Sequence, residues 1–144
     1  MLKNLLQKIT EKCKSHLDIG KAGEDAAVAE LTAKGYRILD RNWRCKTGEL
    51  DIIATYQKVL VIIEVKTRQV EVSKNFSPLE AIDSKKILKI KKVTDFYLQA
   101  NHQRLKRYLI RSIRFDVVAA YYEINSLSNE IDIKVEHVLD AFNY

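Results

Sequence analysis

Proline occurs once in this 144-residue chain and glycine four times. No stretch reads as a linker, an internal repeat or a low-complexity tract. Cysteine is nearly as scarce: Cys13 and Cys45 lie far apart and in no C-x-x-C pair. That spacing offers no zinc site and fits a reduced, cytoplasmic setting. Long hydrophobic runs are missing too. No segment approaches the roughly 20 apolar residues of a membrane-spanning helix, so no membrane partner is expected. From Met1 to Cys13, Leu5, Leu6 and Ile9 alternate with Lys3, Lys8 and Lys12. This segment has neither a continuous apolar region nor a small-residue cleavage site, so it does not read as a secretion signal. An amphipathic lead-in helix or a frayed tail is expected over residues 1–17.

What is present suffices for one domain. The chain is 47% hydrophobic and carries a formal charge of +6. The first figure supports a substantial core. The second favours polyanionic partners but leaves nucleic acid, an acidic membrane face and plain solubility open.

Asp18 to Lys34 has helical spacing, with Gly35 as its stop. Gly20, Gly23, Glu24, Ala27, Val28 and Leu31 share one face, whose small residues let the helix approach a sheet closely. Strands are expected over Tyr36–Asn42, Glu49–Thr55 and Val59–Thr67, with a turn near Cys45–Gly48. In the third strand Val59, Val61, Ile63 and Val65 face one way, and Leu60, Ile62, Glu64 and Lys66 the other. Both faces begin apolar, as in a central strand covered on two sides. Gln69 to Phe76 reads as a loop. Ser77-Pro78-Leu79-Glu80 carries a capping-box pattern and predicts a second helix running to about Gln99, burying Ile82, Ile90, Val93 and Tyr97. Arg114–Tyr122 predicts a fourth strand, Asn125–Asn129 a turn, and Ile131–Val138 an edge strand. The result is one α/β domain over residues 18–144, in the order α-β-β-β-α-β-β.

A hairpin centred between Gln57 and Lys58 makes Asp51 the cross-strand partner of Glu64. Directly opposed side chains lie about 4.5–5.5 Å apart at Cβ. Lys66, two residues on, projects from the same face. Loops of two or four residues both keep this register, whereas three would put the carboxylates on opposite faces. Gln57-Lys58 is a poor primed turn because neither residue favours positive φ, so a four-residue loop over Tyr56–Val59, or an irregular one of the same parity, is expected.

Two apposed carboxylates repel, and burial sharpens the repulsion. Lys66 supplies one positive charge. Mg²⁺ or Mn²⁺ would supply more, held by Asp51, Glu64 and the carbonyl of Val65. Such an ion activates water and neutralises charge developing on a phosphate. Glu24, an acid on an otherwise apolar helix face, would join the metal shell or Lys66. The alternative is a structural salt bridge of Asp51, Glu64 and Lys66 with no metal.

Several blocks resemble a known family: Gly20-Lys21-Ala22-Gly23-Glu24, Asn42-Trp43-Arg44, Gly48-Glu49-Leu50-Asp51-Ile52-Ile53-Ala54, Glu64-Val65-Lys66-Thr67-Arg68 and Arg114-Phe115-Asp116-Val117-Val118. They are similar to the YraN-like family of uncharacterised bacterial proteins. That family in turn resembles the PD-(D/E)XK nuclease superfamily, especially the archaeal Holliday-junction resolvases. The resemblance implies a restriction-endonuclease-like three-layer fold, with a mixed central sheet flanked by helices. It also implies catalytic roles for Glu24, Asp51, Glu64 and Lys66, and, from resolvase-like relatives, a homodimer. Leu50 stands where the superfamily name would place a proline.

Arg44, Lys46 and Arg68, at strand ends, are candidate phosphate contacts, as are Lys85, Lys86 and Lys89 on the second helix. Lys85, Lys89 and Lys92 share a face that could equally be plain solvated surface. Arg104, Lys106, Arg107 and Arg111 read as a basic loop surface. Trp43 and Tyr36 could stack on bases but fit edge or core packing better. His16, His102 and His137 receive no role. The leading expectation is a divalent-metal-dependent, resolvase-like endonuclease acting on DNA or structured nucleic acid. The alternatives are a non-catalytic nucleic-acid-binding module and a protein-interaction subunit retaining the fold.

Overall fold

The computed structural model describes residues 16–70 and 77–144. The lead-in Met1–Cys13 and most of the loop expected over Gln69–Phe76 lie outside them. The elements are α1 (His16–Ala33), β1 (Arg37–Cys45), β2 (Gly48–Tyr56), β3 (Val59–Gln69), α2 (Ser84–Leu105), β4 (Ser112–Ile124) and β5 (Ile131–Phe142), with short 3₁₀ turns at Pro78–Ala81 and Lys106–Tyr108. The expected element order is found, in a five-stranded sheet ordered β1-β2-β3-β4-β5. The β3–β4 pair is parallel and the others antiparallel, which makes the sheet mixed.

β3 is central and double-faced, as its two apolar sides require. Leu60 and Ile62 join Leu50, Ile53, Phe115 and Val117 under Ile90, Val93 and Tyr97 of α2. Val61 and Ile63 join Ile52, Ala54 and Val118 under Ala27 and Leu31 of α1. Most of these side chains are fully buried, and each buried Val, Leu, Ile or Phe contributes roughly 1.5–3 kcal/mol relative to exposure. The molecule is therefore a three-layer α/β fold. Gly23 explains how closely α1 sits on the sheet, since a Cβ there would collide with the side chain of Thr67. Gly35, at φ 89°, ends α1 in the left-handed conformation that glycine adopts without strain.

Two local expectations are corrected. The β2–β3 hairpin closes with two residues rather than four. Tyr56 pairs with Val59, and Gln57 and Lys58 take φ of 49° and 66°. The twist of two buried strands selects this primed turn over the residues' own preference. The second helix does not start at Ser77, which makes no side-chain cap. Pro78–Ala81 forms one 3₁₀ turn, and α2 begins after Asp83, whose side chain accepts from the Lys86 N–H at 2.8 Å. The helix then runs to Leu105, past the expected Gln99. No helix among the described residues is long and apolar enough to cross a membrane.

Candidate metal and nucleic-acid site

The β2–β3 ladder ends at Ile52↔Ile63, whereas β1–β2 continues to Cys45↔Gly48 and β3–β4 to Gln69↔Tyr122. The sheet therefore forks between Asp51 and Glu64. A twist in β1 accompanies the fork. Asn42 has a left-handed φ of 50°. On either side of it, Arg41 turns toward Asp25 of α1, while Trp43 packs edge-on against Tyr97 of α2. Along β2, Leu50 and Ile52 likewise enter opposite cores. Between them Asp51 crosses the fork, and its Oδ2 accepts the Val65 N–H at 2.8 Å. A strand N–H points along the sheet plane, so this carboxylate lies in the fork rather than square on one face.

Glu64 lies on the α2 face and is 4% exposed. Its Oε1 receives two lysines, Lys66 at 3.0 Å from β3 and Lys86 at 2.9 Å from α2. Burial and the neighbouring Glu64 push Asp51 up to about 7, against the pull of the Val65 N–H and Lys86. Lys86 is held above its usual value by Glu64, against its own desolvation. Glu24 stands at the edge of this field and adds to the push on Asp51. Its partners are Asn42 Nδ2 at 3.0 Å and Arg41 at 3.8 Å.

Beside the fork, an open cleft of about 390 Å³ is lined by Arg44, Cys45, Lys46, Thr47, Gly48, Glu49, Lys86, Lys89 and Ile90. The Lys89 stem packs where a Gly48 side chain would be, so the glycine admits the lysine to the cleft. Arg44 pairs with Glu49 at 2.9 Å. Lys85 is exposed on α2, and Arg68 is exposed near the end of β3.

Residues 23–120 match the uncharacterised protein family UPF0102. A UPF0102 protein of Caldanaerobacter subterraneus subsp. tengcongensis is 41% identical over 125 residues, which cover 86% of this chain and 93% of the relative. The chain belongs to UPF0102. A second UPF0102 relative, from Flavobacterium psychrophilum, is 41% identical over 128 residues, covering 88% and 95% of the two chains. A third, from Syntrophus aciditrophicus, is 42% identical over 127 residues, covering 88% and 90%. This is the YraN-like family that the sequence blocks resemble.

Glu24, Asp51, Glu64, Lys66 and Lys86 all fall within the UPF0102 match. Of the residues expected at the site, the structure brings Asp51, Glu64 and Lys66 together at the fork. Lys86, read from sequence as a phosphate contact, is tied to Glu64. Only the cap at Asp83, which fixes where α2 begins, could have revealed that. Among the described residues no set of three or more His, Cys, Asp and Glu is grouped as a metal cluster. The protein's oxygens at the fork are thus two carboxylates and backbone. That donor set suits a hard ion which keeps several waters, as Mg²⁺ does. Burial first, and then the nearby Glu64 charge, raise the Asp51 carboxyl.

A separate buried cluster holds β4 to β5. Asp116 is fully buried and takes a two-pronged bond from Arg114, with Nε and Nη2 both at 2.8 Å. His137 Nε2 lies 2.8 Å away, and the Asp140 N–H donates to it at 2.9 Å. Burial pushes Asp116 up, but these partners outweigh it and hold the carboxyl below its usual range. At the end of α2, Arg104 is no loop residue. It binds Asp40 at 2.8 Å and the Leu39 carbonyl at 2.7 Å, and Tyr97 joins the same carboxylate at 2.6 Å.

Proposed function

We propose that this UPF0102 protein is a Mg²⁺- or Mn²⁺-dependent endonuclease of the PD-(D/E)XK kind, acting on nucleic acid, with DNA as the first candidate. The observation that carries this reading is the meeting of Asp51, Glu64 and Lys66 at the forked end of a hairpin, beside a cleft rich in lysine and arginine. Asp51 and Glu64 would hold the ion, with the Val65 carbonyl as a further ligand. When bound, the ion supplies a more acidic water and neutralises charge on the phosphate under attack. Lys66 orients or deprotonates the attacking water, or holds the scissile phosphate. Arg44, Lys46 and Lys89 hold neighbouring backbone phosphates, with Lys85 and Arg68 extending the basic surface. Glu24 tunes the field at Asp51 from α1. A homodimer would suit a branched substrate with two strands to cut.

The pairing of Glu64 with two lysines favours one competing reading, a nucleic-acid-binding module whose acids are structural. Incubation with branched, single-stranded and duplex DNA in Mg²⁺ or Mn²⁺ separates the two. The enzyme reading expects cleavage that is lost in Asp51→Asn and Glu64→Gln. No cleavage of any substrate, with salt-dependent binding unchanged in both variants, favours the module.

A further inference from the structure

Lys86 occupies an unusual place. It sits in the first turn of the 22-residue helix α2, which carries no acidic residue in that turn. The positive end of the helix dipole disfavours a cation there, so helix stability does not explain the residue. Its Nζ reaches the nearly buried Glu64, while its side chain lines the basic cleft with Lys46 and Lys89. Lys66, the other cation on Glu64, is not among the cleft's walls. One lysine therefore stands between the acid pair and the surface that would take phosphates.

We infer that Lys86 is a positioning residue that exchanges partners. It neutralises Glu64 while no divalent ion is bound, and turns to a phosphate of the nucleic acid in the cleft when one is. This rests on the metal-site reading given above. The exchange needs only a rotation of a partly exposed lysine, without backbone movement. It has two consequences. Lys86 competes with the ion for Glu64. Release of its charge into the cleft couples ion binding to nucleic-acid binding, and by linkage the coupling acts equally in both directions.

The experiment uses the full chain, Mn²⁺ and a duplex DNA oligonucleotide. Mn²⁺ affinity is measured by calorimetry without DNA, and DNA affinity by fluorescence anisotropy with and without Mn²⁺. In Lys86→Met, Mn²⁺ is expected to bind roughly two- to fivefold more tightly, the change that follows removal of one competing ion pair. The tightening of DNA binding by Mn²⁺, present in wild type, is expected to be lost. Lys89→Met, in the same cleft but off Glu64, is expected to weaken DNA binding while leaving Mn²⁺ affinity and the coupling in place. Lys86→Arg keeps a cation on Glu64 and is expected to retain the coupling, which gives a second reading if the methionine variant folds poorly. Unchanged Mn²⁺ affinity in Lys86→Met, or coupling that persists in it, overturns the inference while the metal site stands. Wild type that takes up no Mn²⁺ overturns the metal-site reading and the inference with it.

Discussion

Replacing Asp51 with asparagine is expected to make the metal-free protein more stable at neutral pH, although the residue lies at the heart of the site. Asp51 is raised from 3.8 to about 7, first by burial and then by Glu64. A carboxyl whose pKa is higher in the folded than in the unfolded state binds more protons when folded. Between about pH 4 and pH 7, stability therefore falls as pH rises. A shift of about three units corresponds to a cost of up to about 4 kcal/mol, fully expressed above pH 7. Asparagine carries no charge, and its carbonyl oxygen can still accept the Val65 N–H that Asp51 accepts at 2.8 Å. In EDTA, urea unfolding of Asp51→Asn at pH 8 is expected to show a gain of about 2–4 kcal/mol over wild type, shrinking toward zero near pH 4. A gap that does not change with pH, or a variant less stable than wild type at pH 8, would refute the reasoning.

Asp116 has the opposite sign. Its lowered carboxyl stabilises the fold above its unfolded pKa, and that contribution is lost as pH falls into the acid range. Asp116→Asn leaves Arg114 without its carboxylate and is expected to cost about 3–5 kcal/mol in urea unfolding. Replacing Gln57-Lys58 with Asn-Gly, which suits the φ of 49° and 66°, is expected to add about 1 kcal/mol, read as a rise in thermal midpoint. Gly23→Ala places a methyl against Thr67 and is expected to cost about 1–3 kcal/mol. Thr67→Ala in the same chain should return part of that loss, because it removes the Oγ1 and Cγ2 atoms but leaves the Cβ close by.

The fold was legible where local pattern and tertiary demand agree. The two apolar faces of β3 identified a central strand, and the even hairpin parity holds as far as Ile52↔Ile63, where the ladder ends. The expected pairing of Asp51 with Glu64 on one face gives way to a fork in which Asp51 accepts the Val65 N–H. Legibility stopped where a distant contact overrides the local signal. Gln57 and Lys58 accept a turn they do not favour, because the strands on either side are held by two cores. Ser77-Pro78 looked like a helix start, but the chain completes one 3₁₀ turn and begins again at Asp83. Regular alternation could not show that Leu50 and Ile52 enter different layers, with Asp51 in the fork between them. Lys86 was visible as a basic residue, but its bond to Glu64 joins positions 22 residues apart through the packing of α2 on the sheet.

Titration of wild type and Asp51→Asn with Mn²⁺ by calorimetry tests the central claim most directly. A site formed by the two acids at the fork predicts saturable heat near one ion per chain for wild type, and none for the variant. Identical heats for the two proteins would contradict it, because the ion would then be bound without the aspartate.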